Sequence, residues 1–281
     1  MLRMTRAAIV GISLLLIAVS AQAGVRAQMV VQGDDASNTI VLNHPFLNNN
    51  PDALMVVSQA GWEVPSTIDV FYSAIWRLSN NSVAAIPSSA TFWIFMFDQD
   101  SGFRHTTNAG NISLNTTILD DPRLNGNPSA RPIVTRESTN GPTIPFPIGV
   151  WYNSGISRWT IFYQDMTEQF PDNASFSVFV PSGQDWAFTH TATAGNITDN
   201  FTVLDNPAID QTDPHRVFTS QRWEGVYNDA NIGVGWLFSF LIGNTDSEPM
   251  PVGAKFNVFI APVFEDGFEM GSTALWSDTL P

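Results

Sequence analysis

Short runs in which apolar and polar residues alternate recur along the chain, separated by turn-forming residues about every dozen positions. The middle third shows this most plainly. FRHTTNAG (103–110) leads to NTTILDDP, RPIVTRE, IGVWYNSGISRWTIFYQD and ASFSVFV, each rich in Val, Ile, Thr and aromatics and bounded by Pro, Gly, Asn or Asp. A period of two puts alternate side chains on opposite faces of a strand. Trp159, Ile161 and Tyr163 therefore share one face, as do Phe176, Val178 and Val180. Asn153-Ser154-Gly155 joins two such runs as a hairpin turn. Downstream of residue 23 no run carries the 3.6-residue period of a helix, so the predicted fold is all-β, with about six strands per unit.

The pattern occurs three times. LNHPFLNNNP (42–51), LDDPRLNGNP (119–128) and LDNPAIDQTDP (204–214) are echoes of one turn-rich signature, with leading leucines 77 and 85 residues apart. The third unit repeats the order of the second, through FTHTATAGNI, NFTVLDNP, RVFTSQRW, IGVGWLFSF and AKFNVFI. The first reads NTIVLNHP, ALMVVSQAGW, VFYSAIWRLSN and ATFWIFMF; its opening strand is represented by residues 28–31 alone and looks truncated. Units of this size can each close a small sandwich, whereas trefoil and propeller repeats are shorter. The expected architecture is tandem small antiparallel β-sandwich repeats at 24–98, 99–181 and 182–262. The last two should superpose as independent sandwiches, three beads in a row rather than one closed barrel. Function in such arrays comes from surfaces presented in series.

One departure from the repeat stands out. Phe92, Phe176 and Phe256 align, but the next position is Trp93, Ser177 and Asn257. With Phe95 and Phe97, Trp93 makes the second face of its strand apolar as well. That face needs a cover, from a neighbouring unit or a partner chain, unless it belongs to a locally thicker core.

Residues 1–23 read as a signal peptide, with Arg3 and Arg6 ahead of the apolar run 7–20 and Ala21-Gln22-Ala23 as a cleavage site. The run is short for a membrane span, and no later segment approaches one, so the mature chain is expected to have no membrane span and to be secreted or held at the cell surface. Once that segment is removed, ten basic residues face 26 acidic ones, a net charge of −16. Such a balance repels phosphate backbones and excludes nucleic acid as a partner. Cysteine is absent, which removes disulfides, thiolate metal sites and cysteine nucleophiles.

Candidate chemistry is sparse. His105 and His190 recur in F-x-H-T-x-x-A-G-N, 85 residues apart, without recurring carboxylates beside them, so both are read as structural, partly buried and hydrogen-bonded locally. His44 aligns with Asp121 and Asn206, a position that tolerates polar turn residues. Asp120-Asp121 are strand or turn neighbours rather than a convergent acid–base pair. The oxygen-rich loops could hold calcium, but their first-unit counterpart carries no carboxylate before Asp52. No hydrolase elbow, zinc-protease, phosphate-loop or dinucleotide motif is present, and no cofactor or catalytic activity is expected. Trp62 and Trp223, which follow strand three near loops, and Trp93 are the candidates for a ligand or partner surface.

The series F-x-H-T…A-G-N-I…L-D-x-P-x-L-N-G-N-P (103–128) followed by P-I-G-V-W-Y…R-W-x-I-F-x-Q-D (147–165) resembles a repeat of unknown function in large bacterial secreted proteins. The similarity is strong in the second unit, fair in the third and weak in the first. It implies an extracellular β-rich module with no established activity. The tail, 263–281, resembles a D-G-F-E-x-G…x-W-S motif of bacterial exported proteins, carried by Asp266, Gly267, Phe268, Glu269, Gly271, Trp276 and Ser277. That implies a sorting or surface-retention element; a closing strand with an aromatic plug is the other reading. The sequence thus points to a secreted or cell-surface repeat protein with a binding, adhesion or structural role, meeting a protein or glycan partner. A carbohydrate-binding accessory module using exposed aromatics is the alternative, and a secreted hydrolase comes third.

Overall fold

Alternation of apolar and polar residues produces strands throughout. The computed structural model describes residues 26–261 apart from 140, 184, 208, 210–215, 237 and 238, and it is all-β. No helix among the described residues is long and apolar enough to cross a membrane. The leader and the tail, with Asp266, Gly267, Phe268, Glu269, Gly271 and Trp276, lie outside the described residues.

The first repeat supplies β1 (Arg26–Gln32), β2 (Thr39–Val41), β3 (Leu54–Ala60), β4 (Ile68–Tyr72), β5 (Trp76–Asn80) and β6 (Thr91–Phe97). The second supplies β7 (Gly102–Thr106), β8 (Ile112–Ser113), β9 (Thr116–Ile118), β10 (Ile133–Glu137), β11 (Ile148–Asn153), β12 (Arg158–Tyr163) and β13 (Ser175–Phe179). The third supplies β14 (Trp186–Thr191), β15 (Ile197–Thr198), β16 (Phe201–Val203), β17 (Arg216–Arg222), β18 (Ile232–Trp236), β19 (Phe240–Asn244) and β20 (Lys255–Ala261).

The opening strand of the first repeat is not truncated. β1 has seven residues and pairs in register along the whole of β6. What that repeat lacks, among the described residues, is a counterpart of the two-residue strands β8 and β15. The signature turns carry equivalent bonds in all three repeats. The amides of Leu42, Leu119 and Leu204 donate to the carbonyls of Trp76, Trp159 and Phe240, and all three leucines are fully buried.

Each repeat folds as two facing half-sheets around its own apolar cluster, centred on Trp76 and Phe92, on Trp159 and Phe176, or on Phe240 and Phe256. The repeats are nevertheless not independent beads. The second half-sheet of the first repeat (β2-β5-β4) continues into the first half-sheet of the second (β10-β13-β7). The second likewise continues into the third (β8-β9-β12-β11 to β17-β20-β14), and the third returns to the first (β15-β16-β19-β18 to β3-β6-β1). The seams are short parallel bridges at Val70/Glu137, Val150/Arg222 and Val234/Ala60. One chain therefore closes a three-membered ring with pseudo-threefold order.

The expectation of free-standing sandwiches fails for a physical reason. The outer faces of β6, β13 and β20 each carry a buried phenylalanine, and these meet in a fourth cluster between the repeats. Phe95, Phe179 and Phe259 are equivalent by register, and their ring centroids lie 4.7–5.1 Å apart pairwise. Val56, Ile133 and Phe218, their cross-strand partners, complete that layer. A trio of buried aromatics is too much apolar surface for any repeat to leave exposed.

Trp93 belongs to this seam: half-buried, it packs against the third repeat's cluster and the central one. Its counterparts use hydrogen bonds instead. Ser177 Oγ accepts from the Met55 amide at 3.3 Å, and the Asn257 amide donates to the Pro132 carbonyl at 3.1 Å. Trp93→Ser should therefore cost about 2 kcal/mol by uncovering the contact between first and third repeats. Thermal unfolding checks this, and a shift in melting temperature no larger than that of an exposed substitution would place the tryptophan outside the seam.

Candidate functional site

His105 and His190 sit in matching networks. The ring Nε2 of His105 lies 2.7 Å from Thr117 Oγ1, which donates onward to Asn111 Oδ1 at 3.2 Å. His190 repeats this with Thr202 at 2.8 Å and Asn196 at 3.1 Å. Since each threonine spends its proton on the asparagine, each histidine must donate from Nε2 as the neutral tautomer. Burial lowers the pKa of both from 6.5 to about 4. The unfolded chain binds these protons near pH 6.5 and the fold resists them until about 4. Stability is therefore full above 6.5 and lost as pH falls towards 4, by about 3 kcal/mol per histidine at the bottom of that window. Urea unfolding at pH 7.5 and 4.5 should show the loss, and the His105→Gln/His190→Gln double variant should lose most of that pH dependence.

Both loop tryptophans are committed to seams. Trp62 lies across β18 and β19 of the third repeat, 4.7 Å from Phe201 between ring centroids. Glycine is needed beneath it, because a Cβ at Gly235 would fall 2.0 Å from the indole. Trp223 meets Trp151 edge-on at 5.4 Å, where the second repeat keeps a large residue at the corresponding place. The two are not equivalent in the backbone. Trp223 N donates to Val150 O as Gly61 N, not Trp62 N, donates to Val234 O. The strongly exposed aromatics are others, among them Trp236 at 46% and Tyr227 at 39%.

Asp120 and Asp121 do not converge. Asp120 accepts from Asn125 and is exposed, while buried Asp121 holds Arg123 through two bonds of 2.8 Å. Burial works to raise the Asp121 pKa, but the bonds from Arg123 outweigh it and the net shift is downward. Among the described residues no group of three or more His, Asp or Glu is placed to hold a metal ion.

The site that the sequence did not announce is a cleft of about 530 Å³ at one end of the central core, where all three repeats meet. Three of the ten cationic residues beyond residue 23 line it: Arg26, Arg123 and Arg131. Arg26, Asp100 and Asp185 hold equivalent positions at the start of each repeat's first strand, so the symmetry gathers them at one rim. Arg26 forms an ion pair with Asp185. Burial works to raise the Asp185 carboxyl, but bonds from Arg26 and the Ser182 amide prevail and lower its pKa. Arg123 is locked by Asp121 and by the carbonyls of Gln99 and Asp100, each at 2.9 Å. The Asp121 bonds raise its pKa and keep it charged.

Arg131 differs. Its Nε is buried with no hydrogen-bond partner. The equivalent Arg216 donates to Gln28 Oε1 at 3.2 Å, across the next boundary of the ring. By register the residue corresponding to Gln28 in the third repeat is Ala187, which also lines the cleft. With alanine in place of glutamine, Arg131 lacks the side-chain acceptor that Arg216 Nη1 finds, beside its own unpartnered Nε. Sequence alignment could have paired Arg131 with Arg216, but only strand register shows which residue should face each.

At the opposite end of the core a smaller cavity of about 100 Å³ is lined by Ser58, Thr135 and Ser220, again equivalent by register. Thr135 and Ser220 accept the amides of Val57 and Val134 of the preceding repeat, at 2.8 and 2.9 Å. Those hydroxyls are occupied by the ring's own closure.

No curated protein and no solved structure matches the chain. A family described as "Domain of unknown function (DUF7452)" matches twice, over residues 69–174 and 149–260. Both matches begin at the same structural place, the seam strands β4 and β11, so the family's unit spans a boundary between repeats. With its two matches together reaching across most of the chain, the protein belongs to this family of unknown function.

Proposed function

We propose that the protein is an exported, surface-displayed module that binds rather than catalyses, and that the cleft is where it engages its ligand. The observation that carries this reading is Arg131, a guanidinium held in a closed scaffold with its Nε buried and unanswered. Leaving such a group unsatisfied is costly, and sites built to bind are where proteins tolerate that cost. Elsewhere the residues that could perform chemistry are tied into structure: His105 and His190 to threonines, Asp121 to Arg123. Export rests on the leader at 1–23 and the tail at 263–281. Protease shaving of intact cells expressing the full chain tests the location. Degradation without lysis is the expected result, and protection until lysis would contradict it.

A second reading has an observation of its own. Trp236, edge-on to Phe240 at 4.9 Å, presents an exposed ring of the kind on which sugars stack. Glycan-array binding that Trp236→Ala abolishes would favour this carbohydrate-binding reading over the cleft.

A further inference from the structure

We infer that the cleft takes a small polyhydroxylated monocarboxylate, of the uronic acid class, with its carboxylate on Arg131. This rests on the reading of the cleft as the binding site and adds the chemistry of what it binds. Charge sets the first limit. Arg26 is neutralised by Asp185 and Arg123 by Asp121, so one cationic group, Arg131, remains uncommitted. Asp100 lines the same cavity. With Asp185 and Asp121 already paired, one further carboxylate, Asp100, stands near one available guanidinium, a balance that disfavours phosphate or sulfate dianions more than a monoanion. A planar guanidinium is matched to a carboxylate by its paired donors.

The lining sets the second limit. Besides the charged groups it presents Ser101, Ser129, Ser182 and Asn127, and among the described residues no aromatic ring. Such a wall offers hydroxyls and acceptors to a ligand's own hydroxyls and gives no platform for a base or an aromatic acid. The volume of about 530 Å³ lies within the range of small-molecule sites and suits one or two sugar rings.

The symmetry supplies the tests. Arg131→Leu copies Leu54, the first repeat's residue at this position, and removes a charge without cutting any bond the fold uses. Ala187→Gln copies Gln28 and gives Arg131 the partner that Arg216 already has. Both variants should fold with melting temperatures near that of the parent. Titration of the full chain with glucuronate, glucose and inorganic sulfate, followed by calorimetry, reads the outcome. Glucuronate should bind saturably, at least about tenfold tighter than glucose or sulfate, and both variants should weaken it by about tenfold or more. Sulfate binding as tight as glucuronate would reduce the site to a simple anion hole and overturn the inference. Glucuronate affinity unchanged by either variant would overturn it too, as would no binding of glucuronate to the parent. Neutral glucose bound in the cleft and displaced by Ala187→Gln, with glucuronate ignored, would remove the acidic ligand and leave the cleft as the binding site. If no probe binds the parent and Ala187→Gln leaves attachment of the protein to cell-surface material intact, the reading of the cleft fails as well.

Discussion

Phe179→Ala is expected to cost about 4 kcal/mol and to bring down all three repeats in a single transition. The side chain is fully buried and touches Phe95, Phe97 and Phe259, so truncation opens a cavity shared by the whole ring. In a chain of beads the same substitution would melt one repeat and leave two. Differential scanning calorimetry separates these outcomes. One endotherm moved down by roughly 10 °C agrees with a common core, and two endotherms, one unshifted, do not.

The second large effect sits at the seam between first and second repeats. Arg136 Nε lies 3.1 Å from Asp69 Oδ1, and Arg136 also donates to the Phe146 carbonyl at 2.9 Å. Burial pushes Asp69 up against the pull of Arg136, and burial pushes Arg136 down. The other two seams solve the same position without charge, as Gln221 beside Gly149 and Gln59 beside Gly233. Asp69→Gly alone strands a buried guanidinium and should cost about 3–5 kcal/mol. Asp69→Gly with Arg136→Gln reproduces the neutral seams and should recover most of that loss. Urea midpoints for the two single variants and the double measure the coupling. Additive losses would mean the two residues act independently.

Much of the fold was legible because the repeat wrote it three times. The leucine of each signature turn, the alternating strands and the faces shared by Trp159, Ile161 and Tyr163 or by Phe176 and Val178 all follow from local pattern. The covering demanded by Trp93, Phe95 and Phe97 was legible too, with the neighbouring repeat as one of its readings. What local pattern could not carry was the partner of each half-sheet. Phe179 and Phe259 sit singly among Ser177, Pro181, Asn257 and Ala261, so their face does not look apolar until the three strands are brought together. The parallel seams involve only one or two residue pairs and leave no periodic trace. The cleft was hidden for the same reason, since Ala187 matters only as the residue that is not Gln28. The packing of Trp62 and Trp223 was not legible: glycines at 233, 235 and 243 make room for the Trp62 indole, and Trp223 meets Trp151, neither of which the linear pattern can foresee.

The central claim is that one chain closes a ring by lending half of each repeat to the next. Its most direct test uses the absence of cysteine. Ala60 and Val234 are register partners across the seam joining the first repeat to the third, although 174 residues separate them. Neighbouring strands bring Cα atoms within disulfide range. Ala60→Cys/Val234→Cys should therefore oxidise to an intramolecular disulfide in the folded monomer, read as loss of both thiols and faster migration under non-reducing electrophoresis. Two titratable thiols in the folded protein under oxidising conditions, or cross-linking only between molecules, would contradict the ring.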